Sequence, residues 1–495
     1  MSNKVGYTGW FERKSPGIFK LTLQGTIGLI AGIMLIMYVA PRLDNLAVTI
    51  AMIVAVAVFE VFFGWEYDGK TLGRRVAEGQ DTPRRARRGE TDYVTGVMAN
   101  LAGSDGGHPL PGILASTTLL RGVDGYGNPF DVVHYPSKGL FSVTFRCYPD
   151  GDGMSDRDLI NATLAKYAAW IATLSVEDGV VGAATIIDSA PGTGVQLRES
   201  VEGERDPDGP AAAKAIMDAV VTDLPNHSSD VTGYVVVVWR QSAMTIPVKT
   251  AQDVVVEIAK RLPGHQASLA AGGAGDPIAM TEPELVETVR IAYDPELAVD
   301  FDIMRERELE VDLGWADAGP SVASEDGGAY RHDGVASFTL EMRRPPRGII
   351  FDNHLLRLLQ PNRAFLRKRV AIFYQAVKAE KAQLQAENAV RAEDFAAGQQ
   401  KGRRMASTRR DVRTAANLDE EISAGASLVP FAMLATCTYR DTPDSERLAR
   451  NQLSALMTSS RMRVRRSKGL QAALFHMTLP LGMLPWEFAD NPFKK

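Results

Sequence analysis

The opening of the chain divides into two long apolar runs framed by basic residues. Leu21–Ala40 (LTLQGTIGLIAGIMLIMYVA) holds 20 residues without a charge, the length that crosses a bilayer core as a helix. After a short PRLDN turn, Leu46–Trp65 forms a second run of 20 residues. The pair predicts a transmembrane helical hairpin over residues 21–66. A cleaved signal peptide does not fit, because the first run is too long and leads into Pro-Arg instead of a small-residue cleavage site. Glu60 is the one acid in these spans. It lies about 8 Å of helix rise from Trp65, so it is expected to reach the interface.

Beyond the spans, residues 67–110 read as a linker, basic where it leaves the membrane and rich in Gly, Arg, Asp, Pro and Ser. DGYGNPF then marks a hairpin turn, its Asp-Gly and Gly-Asn supplying positive φ. LFSVTFRCYP, GVVGAATIIDSAP and GYVVVVWRQ read as strands, the last buried on both faces. Between and after them come DRDLINATLAKYAAWIATLS and segments near 209–223, 251–262 and 281–292, which read as helices. This alternation predicts an α/β domain over residues 111–300 with at least a partly parallel sheet.

Residues 301–495 read as an α+β domain. Residues 300–335 are expected to be irregular, and VASFTLEMRRPP is a strand. Residues 364–400 are expected to be helical, with Leu366, Val370, Phe373, Val377 and Leu384 forming a coiled-coil-like seam. DVRTAANLDEEISAG supplies a second helix ended by Gly425, making a long helical hairpin. ASLVPFAMLATCTYRD, PDSERLARNQLSALMTSS and RMRVRR follow as strand, helix and short strand. The expected fold is therefore a membrane-anchored α/β protein.

Charge changes this picture locally. The 495 residues carry a net charge of −5, with 45% hydrophobic and 23% charged residues, an ordinary folded composition. Arg13, Lys14 and Lys20 precede the first span, and Arg74, Arg75, Arg84, Arg85, Arg87 and Arg88 follow the second. Only Arg42, beside Asp44, lies between them. The positive-inside rule places residues 1–20 and the bulk of the chain in the cytoplasm, with Trp65 in the interfacial aromatic belt. The arginine cluster suits anionic headgroups and serves equally as a topology signal. Lipid, DNA and protein all stay open as its contacts. Cys147 and Cys437 are the only two cysteines, which excludes a disulfide framework.

Candidate chemistry is sparse. GWEYDGKT (Gly64–Thr71) matches the phosphate-loop pattern, but a membrane span precedes it and an arginine-rich linker follows where a helix is required. The seven histidines, His108, His134, His227, His265, His332, His354 and His476, lack metal-ligand spacing. PDGDGMSD lacks the ligands of a calcium loop and reads as a strand-to-helix turn. Trp239–Arg240 reads as packing at the end of a core strand, and the basic run Lys401–Arg413 as the solvated tip of the helical hairpin. No catalytic residue, metal site or cofactor is assigned.

Several blocks in order resemble one family: SPGIFKLTLQGT, LPGILA, DGYGNPF, GLFSVTFRCYPDG, KYAAWIATL, RDVRTAANLDEEISAGASLVPFAMLATCT and QAALFHMTLPLG. They are similar to actinobacterial membrane proteins of conjugative and integrative elements. The two spans resemble the PrgI-type small inner-membrane subunit, and the later blocks resemble the non-motor N-terminal region of the VirB-type conjugation ATPase. The resemblance implies a non-catalytic inner-membrane component of a type IV secretion apparatus that positions a separately encoded motor ATPase among other channel subunits. A homo-oligomer is compatible with that role. HMTLPLG resembles the segment leading into the motor of the larger ATPases, and the chain ends there. The stretch Met483–Phe493 is therefore expected to pack on its own domain or to cap the motor, with Trp486 and Phe488 as candidate partner contacts. A type VII secretion membrane component is the alternative. A membrane-anchored transferase or nucleotide hydrolase has only GWEYDGKT in its favour.

Overall fold

The computed structural model describes residues 21, 23–43, 45–67, 70–73, 76, 91–95, 110–149, 156–206, 208–223, 229–309, 311–346, 350–398, 406–423 and 427–488. Two apolar helices, α1 (Leu23–Leu43) and α2 (Leu46–Phe59), form the N-terminal hairpin. Asn45 caps α2, its side-chain oxygen accepting the Ala47 N–H at 3.0 Å. α2 continues into a wide π-helical turn, Glu60–Gly64, closed by Trp65 N–H to Glu60 C=O at 2.6 Å. Two-residue strands β1 (Glu66–Tyr67) and β2 (Lys70–Thr71) then pair with each other.

The rest is built on a 13-stranded sheet. After β3 (Asp92–Val94), its first half runs β4 (Thr118–Val123), β5 (Pro129–Tyr135), β6 (Leu140–Cys147), α3 (Arg157–Thr173), β7 (Val180–Pro191), α4 (Val195–Gly203), α5 (Ala211–Asp223), β8 (Ser229–Arg240), α6 (Ala251–Ala259), α7 (Leu262–Leu269) and β9 (Ile278–Ala279). Helices α8 (Glu282–Tyr293) and α9 (Leu297–Glu306) lead to the second half. That half runs β10 (Val322–Glu325), β11 (Tyr330–His332), β12 (Val335–Arg344), α10 (Leu356–Leu359), β13 (Arg367–Gln375), α11 (Ala379–Gly398), α12 (Ala406–Ser423), β14 (Phe431–Arg440), α13 (Pro443–Ser459) and β15 (Arg463–Arg465). Helices α14 (Gln471–Met477) and α15 (Pro485–Phe488) close the described chain. The boundary expected at 300/301 falls within α9.

The two halves have the same topology. In space the strands run β9-β6-β8-β7 in one and β15-β12-β14-β13 in the other. Each is a split β-α-β unit, entered by a two-strand meander and interrupted at the same place by a helical pair, α4–α5 or α11–α12. The units join through equivalent strands: β7 pairs with β13 antiparallel, from Gly182↔Gln375 to Ser189↔Lys368. A pseudo-two-fold axis therefore passes between them.

This topology corrects the expectation of a partly parallel sheet, since every ladder among the described residues is antiparallel. β6 and β7 do run in the same direction and are joined by α3, but β8 inserts between them. Residues 364–400 are also corrected. Arg367–Gln375 is a central strand, and the helix starts only at Ala379. Val370 and Phe373, read as a helical seam, face opposite sides of the sheet and are 1% exposed. Burial on both faces outweighs the helical composition that follows. The region expected to be irregular, 300–335, contributes β10 and β11.

Among the described residues, three apolar clusters result. Helices α3, α6 and α7 cover one face of the first half, around Phe141, Phe145, Val237 and Trp239. Helices α10 and α13 cover the equivalent face of the second half, around Phe338, Val370 and Cys437. The opposite face is shared by both halves and is covered by α8, α14 and the segment Leu479–Phe488.

Candidate functional site

The N-terminal hairpin is apolar on its outside. Gly25–Arg42 and Leu46–Gly64 are both long and apolar enough to cross a membrane, and only 11% and 6% of these windows are buried. Ile30, Leu35, Met37, Ile53 and Val58 are among the large side chains left exposed. A core helix of a soluble domain would hide such residues. Its inner face is small: Gly25 backs onto the Gly64 backbone, Gly28 onto the Phe59 ring and Gly32 onto Val56. This close approach of backbones is how apolar helices gain contact where lipid and side chains are equally oily. Leu21 and Trp65 bridge at the open end, so both ends of the hairpin emerge together.

Glu60 opens the π-helical turn that leads to Trp65 at the open end of the hairpin. It is 9% exposed, with its carboxyl beside Gly64, Gly25 and Gly28. Trp65 is 58% exposed. Arg13, Lys14, Lys20, Arg74, Arg75, Arg84, Arg85, Arg87 and Arg88 lie outside the described residues, as do 401–405 of the basic run Lys401–Arg413. The phosphate-loop-like segment contains the two-residue antiparallel ribbon β1–β2, and its residues 68–69 lie outside the described residues.

The HMTLPLG block has a structural role. It leaves α14 and crosses beneath the first half of the sheet. Tyr135 Oη and Ser142 Oγ donate to the Leu481 carbonyl at 2.8 and 2.7 Å, and Thr144 Oγ1 donates to Pro480 C=O at 2.5 Å. Gly482 adopts φ +81° directly over Ser142, where a side chain has neither room nor a relaxed backbone. Trp486 then lies on Gly182 of β7, and Phe488 meets the Tyr135 ring edge-on at 5.4 Å. Glu487 pairs with Arg240. The two candidate partner contacts thus lie against the shared face of the chain's own sheet.

Under the second half, the same face is polar and sealed. Ser337 and Thr438 hydroxyls meet at 2.8 Å, and Thr339 and Thr436 at 2.7 Å. Gln471, wholly buried, accepts from Thr339 N–H at 2.8 Å and donates to Thr339 C=O, extending the β12 ladder with a side-chain amide. His332 donates from Nδ1 to the Tyr293 carbonyl and accepts from Ser337 Oγ at Nε2, at 2.5 and 2.8 Å. Burial pushes the pKa of both His332 and His476 down to about 3, so both rings are neutral. Arg369, 1% exposed, stacks 4.6 Å over the Phe475 ring. Burial pulls its pKa down to about 10, against the opposing influence of Asp188.

A second network ties down Trp239. Trp170 Nε1 donates to His265 Nδ1 at 3.2 Å, while His265 Nε2 and Trp239 Nε1 both reach Glu177 Oε1 at 3.2 Å. Burial raises the Glu177 pKa, but its partners outweigh that, His265 first, and the net shift is downward. Both histidine nitrogens are engaged, so the carboxylate–imidazole pair acts as a structural joint between α3, β8 and α7.

Sequence reasoning missed Arg369, His332, Gln471 and Glu177. The RKR of β13 was a usable signal, because three cations opening a β-branched run require buried partners. Among the described residues, no three or more His, Cys, Asp or Glu gather as metal ligands. No family model matches the chain, and no curated protein matches it.

Proposed function

We propose that this protein is a non-catalytic inner-membrane docking component of a conjugative type IV secretion system, positioning a separately encoded motor ATPase. The observation that carries the reading is the outward-facing apolar hairpin joined to a large folded sheet domain. The ordered blocks resembling a PrgI-type subunit and the non-motor part of a VirB-type ATPase give it its identity. Positive residues flanking both spans favour cytoplasmic termini and a cytoplasmic sheet. The role is scaffolding: the hairpin anchors, and the doubled sheet offers a rigid platform.

The test is co-purification of detergent-solubilised full-length protein with a VirB-type ATPase from the same locus. A stable complex is expected, and failure to form one in detergent and in nanodiscs rejects the role. The purified protein alone is expected to show no ATP turnover. Turnover abolished by Lys70→Ala would establish an enzyme instead.

A further inference from the structure

We infer that the edge strand β15 and the adjoining end of β12 form a second membrane contact, a basic surface that docks on anionic lipid headgroups. β11 pairs with the first residues of β12, from Val335 to Ser337, and β15 pairs further along, from Glu341 to Arg344. β15 has no strand on its other side among the described residues. The segment Arg461–Lys468 (RMRVRRSK) carries five basic residues and no acid, and Arg343 and Arg344 of β12 lie beside it. The neighbouring acids are already engaged: Arg465 grips Glu341 at 2.9 and 2.8 Å with Ser467 donating to it, Glu446 pairs with Arg450, and Asp326 pairs with Arg331.

Met462 and Val464 turn into the core, while Arg461, Arg463, Arg466 and Lys468 are exposed. Cations crowd this corner of the sheet, although Arg450 is itself paired with Glu446. Arg450 and Arg466 both stack on Phe338, at 4.6 and 5.2 Å, and both donate to the Gly328 carbonyl. Arg461 adopts φ +53° just past α13, where glycine is the low-strain choice. A cation there does complement the helix dipole. Charged edges also discourage strand-to-strand aggregation. One or two charges would serve either purpose, and neither accounts for the whole run.

The occupant follows from charge and tethering. Asp92 of β3 lies 27 residues after Trp65, a reach of at most about 95 Å. β3 pairs with β10, in the same half of the sheet that β15 borders. The basic edge therefore belongs to the half tethered nearest the anchor, and each cation near an anionic surface favours docking about fivefold.

The inference rests on the hairpin spanning the membrane, which the same sample checks through carbonate-resistant insertion. Full-length protein carrying Leu470→Cys is labelled with a fluorophore, since Leu470 is exposed while Cys147 and Cys437 are buried. Energy transfer to a headgroup-labelled lipid is measured in nanodiscs of phosphatidylcholine with and without phosphatidylglycerol. Phosphatidylglycerol is expected to raise transfer, and high salt to abolish the rise. Arg461→Gln, Arg463→Gln and Lys468→Gln together should weaken docking on the order of 100-fold while the linker arginines remain. If that triple variant misfolds, Arg463→Gln alone should weaken docking about fivefold. Inserted protein whose transfer ignores phosphatidylglycerol overturns the inference. So does preferential capture of duplex DNA by this edge, which would make it a nucleic-acid surface. Failure to insert rejects the anchor itself.

Discussion

Arg369 on β13 stands directly across from Asp188 on β7, in the ladder that joins the two halves of the sheet. Both are buried; Asp188 accepts from Arg367 Nε at 3.1 Å and acts on Arg369 through space, while Arg369 Nε donates to Thr478 Oγ1 at 3.4 Å. One carboxylate thus offsets two guanidiniums where the halves meet. Asp188→Ala should cost about 3–5 kcal/mol, because it leaves buried cations uncompensated. Arg369→Met should cost much less, since its stem and its contact with Phe475 can be replaced by apolar atoms. Denaturant unfolding in detergent checks the order, and equal losses would mean that Asp188 does not hold the seam.

Acid should loosen the shared face. His332 and His476 titrate near 3 in the fold, against an ordinary value of 6.5. Because the folded values are depressed, their contribution is full above pH 6.5 and declines as pH falls toward 3, the unfolded chain taking up protons first. Each histidine adds up to about 1.4 kcal/mol of lost stability per pH unit in that window. Apparent Tm followed from pH 7 to pH 4 should fall, and His332→Asn should flatten the slope. An unchanged slope would place the acid sensitivity elsewhere.

The hairpin depends on absent side chains. Gly25→Leu should force α1 from the Gly64 backbone, and Gly32→Leu should collide with Val56. Each should lower the protease resistance of the hairpin in membranes. Deleting Leu21–Trp65 should release the protein from membranes with the sheet still folded. Aggregation of that fragment would show that the hairpin belongs to the core.

Trp486→Ala and Phe488→Ala distinguish internal packing from partner binding. Both rings lie on the chain's own sheet, so each substitution should cost about 1–3 kcal/mol, less than for a fully buried aromatic. Unchanged stability with lost ATPase binding would assign these rings to the partner.

The sequence by itself determined the local elements. Two apolar runs, broken only by Glu60, gave the hairpin, because length and near-absence of charge suffice to set long apolar helices. DGYGN gave the β4–β5 turn, where Gly127 adopts φ +90°. GYVVVVWRQ gave a central strand, because burial on both faces leaves no polar alternation. What the tertiary structure alone decided was neighbourhood. β8 lies between β6 and β7, which makes an apparently parallel β-α-β order antiparallel, and no residue pattern within one strand records which strand lies beside it. RKRVAIFYQ became a strand because β7 and β14 hold both its edges, overriding the helical composition downstream. The equivalence of the two halves is likewise a matter of connectivity: strand order repeats where residue identity does not. Burial of Arg369 and His332 was decided the same way, by Phe475 and Tyr293 closing over them from distant parts of the chain.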